Sequence, residues 1–281
     1  MSARTIKFKL YRFHLLPIEP QTNQLDAFPK NLDTEEIKKN KNQILSRLLN
    51  SLQNQIRQNP IRLEHVDDDY FLFKIANKKK TTITQNFQNA NIPNEPYCHI
   101  IINNDNTVQK IAISENLDAF SSPNTVKNIL KKALQKELNA FQLNIEIEEL
   151  FEKHDFWELV YKYNSQIVML NFKFIKPNLS QISKTLPIVF REFSEKVDSH
   201  ESHIILKAPN KSTLKNINEE NQEISGMIDY SANGGGNIKM SIKGIRKQIT
   251  TSEAETTISI SEAELEGPLA MVFNLYKNIL K

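Results

Sequence analysis

Three consecutive glycines, Gly234-Gly235-Gly236, constrain this chain more tightly than any other local feature. The sequence holds six glycines, at 226, 234, 235, 236, 244 and 267, and none among its first 225 residues. Glycine enters the left-handed backbone region without a Cβ penalty, so the cluster marks a sharp change of course. The segment before it, 219–232, reads as a helix. The segment after it, 238–249, reads as a strand. Asn233 or Gly234 is therefore expected to take the left-handed conformation that ends the helix, and the remaining glycines to launch the strand. The spacing fits neither the phosphate-binding loop, which needs Lys-Ser/Thr and a following helix, nor the dinucleotide fingerprint.

The launched strand carries its own pattern. Ile238, Met240 and Ile242 share one face, and Lys239, Ser241 and Lys243 share the other. Gly244 breaks the alternation, which predicts a β-bulge there. Arg246 and Lys247 follow. A Lys-Ser-Lys face with Arg and Lys beyond it can track a phosphate backbone, although a solvated sheet face uses the same residues.

The rest of the chain alternates strand and helix patterns. Thr5 to Leu16 has period two. Thr34 is a fitting N-cap, followed by Glu35, Glu36 and an apolar stripe from Ile37 to Ile56. Strands are expected at 62–65, 70–76, 97–103 and 108–114, with Lys78–Lys80 as a turn. Asn124 is expected to cap a helix over 125–141 with Lys127, Lys131, Lys132 and Lys136 on its polar face. Strands at 143–150 and 167–175 follow. A helix capped by Asn178 should start at Leu179 and be interrupted by Pro187. A strand at 202–209 and a final helix at 269–280, with Pro268 in its first turn, complete the series. The fold class is α+β, with mixed sheets, hairpins and crossover helices in two subdomains, 1–145 and 146–281.

Composition excludes some functions. Cys98 is the only cysteine, so there is no intrachain disulfide framework and no multi-cysteine metal site. No apolar run reaches about 18 residues, the minimum for a membrane span. The formal charge is +3, so any nucleic-acid face must come from local clustering. The densest basic run is Asn77-Lys78-Lys79-Lys80. Asp67-Asp68-Asp69 could ligate a divalent metal, but neighbouring side chains on an extended chain point to opposite sides. His200 and His203 lack a third ligand, and Cys98 beside His99 cannot form a nucleophile pair on a strand. No motif supports catalysis, and no cofactor is expected.

In segment order the chain resembles the RexA-like prophage exclusion proteins and, more loosely, KwaB-like proteins of phage defence. The segments carrying the likeness are YFLFKIANKKKTTI at 70–83, PYCHIIINNDNTVQKIAI at 96–113, LNIEIEEL at 143–150, VMLNFKF at 168–174 and SHIILKAPNKSTLK at 202–215. The resemblance implies a cytoplasmic, self-associating, non-enzymatic protein that binds DNA and acts with a membrane partner during phage infection. The expectation is thus a homodimeric antiphage protein that binds duplex DNA with little sequence preference. Its contacts would be Lys78, Lys79, Lys80, Lys239, Lys243, Arg246 and Lys247. A metal-dependent nuclease, or a protein-binding adaptor without nucleic-acid affinity, is the alternative.

Overall fold

The computed structural model describes residues 5–18, 34–52, 56, 59–176, 183–251, 256–261 and 269–280. Among them are six helices and thirteen strands in three sheets, a mixed α+β fold. The chain divides into two compact units. Unit 1 comprises residues 1–9, 17–145 and 257–281, and unit 2 comprises 10–16 and 146–256. The division falls within two strands, β1 (Thr5–Pro17) and β8 (Leu143–Glu149).

Unit 1 is built on β2 (Ile61–Asp67), β3 (Tyr70–Ala76), β6 (Tyr97–Asn103) and β7 (Lys110–Ser114), with β13 (Thr257–Ser261) beyond β1. The strand order is β13-β1-β7-β6-β3-β2, with β8 also paired to β1. β1 is paired along both edges, and it buries side chains on both faces. Period two puts Lys7 and Lys9 on a polar face, yet Lys9 is as buried as Phe8 and Leu10, and so are Arg12 and His14 on the Phe8 face. The Asp105–Thr107 turn closes β6 onto β7 through an Asx interaction, Thr107 N donating to Asp105 Oδ1 at 2.7 Å.

Helix α1 (Thr34–Ser51) buries Ile37, Leu45, Leu48 and Leu49. It is tied to that turn by paired amides: Asn42 Nδ2 donates to Asn104 O at 2.8 Å, and Asn104 Nδ2 donates to Asn42 O at 2.7 Å. Helix α2 (Pro123–Leu138) begins two residues earlier than the sequence suggests. Ser122 occupies the cap position and Pro123 the first turn, because proline's fixed φ and missing N–H suit a helix start. Asn124 therefore lies inside the helix. Helix α6 (Leu269–Ile279) seats Phe273 against His65 and Tyr70, and Tyr276 against Phe8.

Unit 2 is a four-stranded antiparallel sheet in the order β10-β9-β11-β12, built from β9 (Ile167–Ile175), β10 (Glu201–Lys207), β11 (Gly236–Ile242) and β12 (Ile249–Thr250). Leu170, Phe172, Phe174, Ile238, Met240 and Ile242 form its buried face. Trp157 of α3 (Lys153–Lys162) and Ile224, Met227 and Ile228 of α5 (Gln222–Tyr230) join the same core. Asn221 caps α5, its side chain accepting from Ile224 N at 3.2 Å. Pro187 stands at the cap of α4 (Ile188–Lys196), as a residue of fixed φ can. The expected cap at Asn178 and start at Leu179 lie outside the described residues, as does Pro268.

The glycine triplet ends α5 through one wide turn, Ser231–Gly235. Gly234 is the left-handed residue, at φ 80°, and Gly236 opens β11. The strand expected to run from 238 to 249 stops at Ile242. Lys243–Gln248 form the connection to β12, and Gly244, at φ 85°, is a turn residue within it. The register irregularity sits between Ser241 and Ile242, not at Gly244. A left-handed glycine suits the reversal that carries β11 into β12.

Candidate nucleic-acid interface

The seven residues expected to contact nucleic acid fall on two separate surfaces, one in each unit.

The first is a ribbon. Lys79 and Lys80, expected as a turn, instead begin β4 (Lys79–Gln85), which among the described strands pairs only with β5 (Gln88–Asn94). Lys78 stands exposed at its base. All fourteen residues of these two strands are exposed. Gln85 faces Gln88, so Asn86 and Phe87 form a two-residue turn, with φ of 51° and 61°. Both positive values identify the mirror-image turn whose twist suits a hairpin. At about 3.3 Å per residue, each strand is roughly 23 Å long.

The two faces of the ribbon differ. Ile83 and Ile92 share one face with Thr81 and Ala90. The other carries Lys80, Thr82, Thr84, Asn89 and Asn91. On that polar face Thr82 Oγ1 donates to Asn91 Oδ1 and Thr84 Oγ1 donates to Asn89 Oδ1, each at 2.8 Å. Each hydroxyl takes one acceptor site of the amide oxygen, and the amide nitrogen keeps its N–H groups for another partner. From Asn77 to Asn94 there is no Asp or Glu. Glu95 is the first carboxylate past the ribbon.

Sequence reasoning marked the lysines here but missed the ribbon. The usable signal is the run from Thr81 to Asn94, which offers only Ile83, Phe87 and Ile92 as large apolar side chains. Neither helix nor sheet periodicity could bury such a run.

The second surface belongs to unit 2. Lys239 is exposed on the side of β11 away from the core, where it pairs in register with Asn171 and Thr250. Lys243, Arg246 and Lys247 are exposed in the β11–β12 connection. The same sheet face is not uniformly basic. Lys173 Nζ lies 3.0 Å from both Glu148 Oε1 and Glu201 Oε2. Asn237 Nδ2 donates to Glu148 Oε2 at 3.3 Å, and His203 Nε2 lies 2.9 Å from Glu201 Oε1. Burial depresses the Lys173 ammonium, but Glu148 and Glu201 outweigh it and the pKa rises. Burial raises the Glu201 carboxyl, but His203 and Lys173 outweigh it and the pKa falls. Lys173 is thus committed to an internal network, which explains why Lys239 rather than Lys173 presents charge to solvent.

Glu148 is buried, so neutralising it would leave the half-buried Lys173 ammonium with Glu201 as its one remaining carboxylate in this network. Glu148→Gln is expected to lower stability by about 1–2 kcal/mol after allowance for solvent screening. A denaturation midpoint followed by Trp157 fluorescence measures this, because the chain's only tryptophan lies in the unit 2 core.

The acidic run does not gather into a metal site. Asp67 Oδ2 pairs with Lys277 Nζ at 2.7 Å, and Asp68 holds the β2–β3 turn at φ 51°. The Asp69 carboxyl is raised by burial and by the neighbouring Asp105 and Asp68. Among the described residues, His154, Asp155 and Glu158 on α3 do converge, their ligand atoms within 4.8 Å of one another. They are fully exposed, and His154 lies 3.2 Å from Glu158, an ordinary contact one helical turn apart. The Cys98 thiol is raised to about 11 by burial, despite contacts to Ser114 and Asn116 that lower it, which keeps it protonated at neutral pH. Of the α2 lysines, Lys132 and Lys136 are exposed, whereas Lys127 and Lys131 are half-buried.

No protein-family model matches this sequence, and no curated protein is significantly similar to it.

Proposed function

We propose that this chain is a non-enzymatic nucleic-acid-binding protein, duplex DNA being the favoured ligand. The observation that carries the reading is the exposed β4–β5 ribbon, which has lysines at its base and no carboxylate along its length. An exposed two-stranded ribbon is marginal in water, because it has no core face to bury. A ribbon kept this polar and this acid-free is suited to a polyanion, and two-stranded ribbons are of a size that DNA grooves admit. Lys239, Lys243, Arg246 and Lys247 supply a second electrostatic patch, on unit 2. The wider setting we propose, an antiphage protein acting as a homodimer beside a membrane partner, is supported by the RexA-like order of segments alone.

Binding driven by phosphate neutralisation releases counterions and weakens linearly on a log–log plot against salt, by about 0.9 per phosphate contact on duplex DNA. Replacing Lys78, Lys79 and Lys80 together by alanine is expected to reduce that slope by roughly 2–3. Fluorescence anisotropy with a labelled duplex from 25 to about 200 mM salt measures the slope. If neither duplex nor single strand is retained at the lowest salt, the reading is wrong.

A further inference from the structure

Resting on the nucleic-acid reading above, we infer that the β4–β5 ribbon is a minor-groove arm for A·T-rich duplex, with Phe87 as a wedge that inserts between base pairs and bends the DNA.

Phe87 is the starting point. Its relative exposure is 104%, the largest of any hydrophobic residue described. Burial therefore does not account for it. Turn chemistry does not account for it either. The mirror-image hairpin turn favours Asn-Gly, and a bulky side chain at φ 61° sits in a region that glycine or asparagine occupies more cheaply. The sequence places an aromatic ring at one of the two ribbon positions with positive φ, where a bulky side chain is disfavoured, and its exposure is that of an uncovered ring. A ring presented at the end of a narrow arm is the shape of an intercalating wedge. Minor-groove proteins use such apolar wedges to part a base step and kink the duplex.

The polar face identifies the groove. In the minor groove, A·T and T·A pairs show only acceptors, adenine N3 and thymine O2, whereas G·C adds an amino donor. Asn89 and Asn91 each engage the amide oxygen with a hydroxyl, from Thr84 and Thr82, so the amide nitrogens are the groups left to donate to a ligand on this face. Their spacing of two residues places both on one face. Such donors match the acceptors of an A·T floor and meet the guanine amino group unfavourably. The roughly 23 Å ribbon covers about seven base pairs at 3.4 Å each. Lys80 lies on the same face and Lys78 and Lys79 at the base, where the phosphates of the groove walls would stand.

The test uses the full chain and two duplexes of equal length, one A·T-rich and one G·C-rich, end-labelled for energy transfer. The wild-type chain should bind the A·T duplex about 5- to 10-fold more tightly and shorten its end-to-end distance. Phe87→Ala should abolish the shortening and weaken binding about 5- to 100-fold, while the salt slope stays unchanged. Phe87→Leu, which keeps an apolar wedge, should retain part of the bend. Phe87→Gly suits the turn conformation and controls for ribbon folding. It should leave circular dichroism intact and behave like Phe87→Ala on DNA. Equal bending by wild type and Phe87→Ala overturns the wedge, and equal affinity for the two duplexes overturns the minor-groove assignment. Binding of single strands alone overturns both while leaving nucleic-acid binding in place. Absence of all nucleic-acid binding instead overturns the proposed function itself.

Discussion

Gly236→Ala is expected to destabilise unit 2 by more than about 4 kcal/mol, enough to prevent its folding in many conditions. A Cβ at this position would stand 1.8 Å from Lys173 O, 2.8 Å from Lys173 C and 3.1 Å from Phe174 Cα. All three are backbone atoms of β9, the strand paired with Gly236, so no rotamer change relieves the overlap. Relief requires β11 to leave β9, which uncouples the two central strands of a four-stranded sheet. Gly244→Ala is the internal comparison. Nothing lies within 4 Å of its Cβ, and the only cost is the left-handed φ of 85°, about 1–2 kcal/mol. Urea unfolding followed by Trp157 fluorescence reads unit 2 directly. Equal midpoints for the two variants would show that the close approach at Gly236 does not exist.

Acid should destabilise unit 1 through His99. Burial, then the Lys74 ammonium opposite it in register, hold the His99 imidazole down to about 4, with Glu64 opposing. The ordinary imidazole value is 6.5, so between about pH 6.5 and 4 the unfolded chain binds a proton that the folded chain refuses. The stability from a neutral His99 is therefore complete above pH 6.5 and is lost as the pH falls towards 4. The depression corresponds to about 3 kcal/mol at full extent. A His99→Gln variant should flatten the stability profile over that window. An NMR titration should find the His99 ring unprotonated at pH 5. A ring that titrates near 6.5 would remove the basis of the prediction.

Where the local pattern was strong, the sequence was read correctly. The apolar stripe of α1, the β3, β6 and β8 strands and the helix at the C-terminal end all follow from periodicity, because burial of one face dictates spacing before any tertiary contact exists. Lys9 misleads because β1 buries both of its faces, and what covers a face is not a local property; Arg12 and His14 are polar residues buried on the face that carries Phe8 and Leu10. The β11–β12 break misleads because alternation continues through Lys243 while the neighbouring strand does not. The basic residues were legible as charge. Their grouping into a ribbon and a sheet patch was not.

The three glycines show how the two kinds of information divide. Sequence alone determined that a helix stops and a strand begins there, since a left-handed residue between two periodic patterns admits little else. Only the tertiary structure decided why there are three. Gly234 takes the positive φ and lies against Arg12, Gly235 lies against the Tyr230 ring, and Gly236 approaches the β9 backbone. The ribbon gives the same division. Its lack of acids and its lone Phe87 are written in the chain, but their exposure is decided by pairing, because among the described strands β4 and β5 pair only with each other.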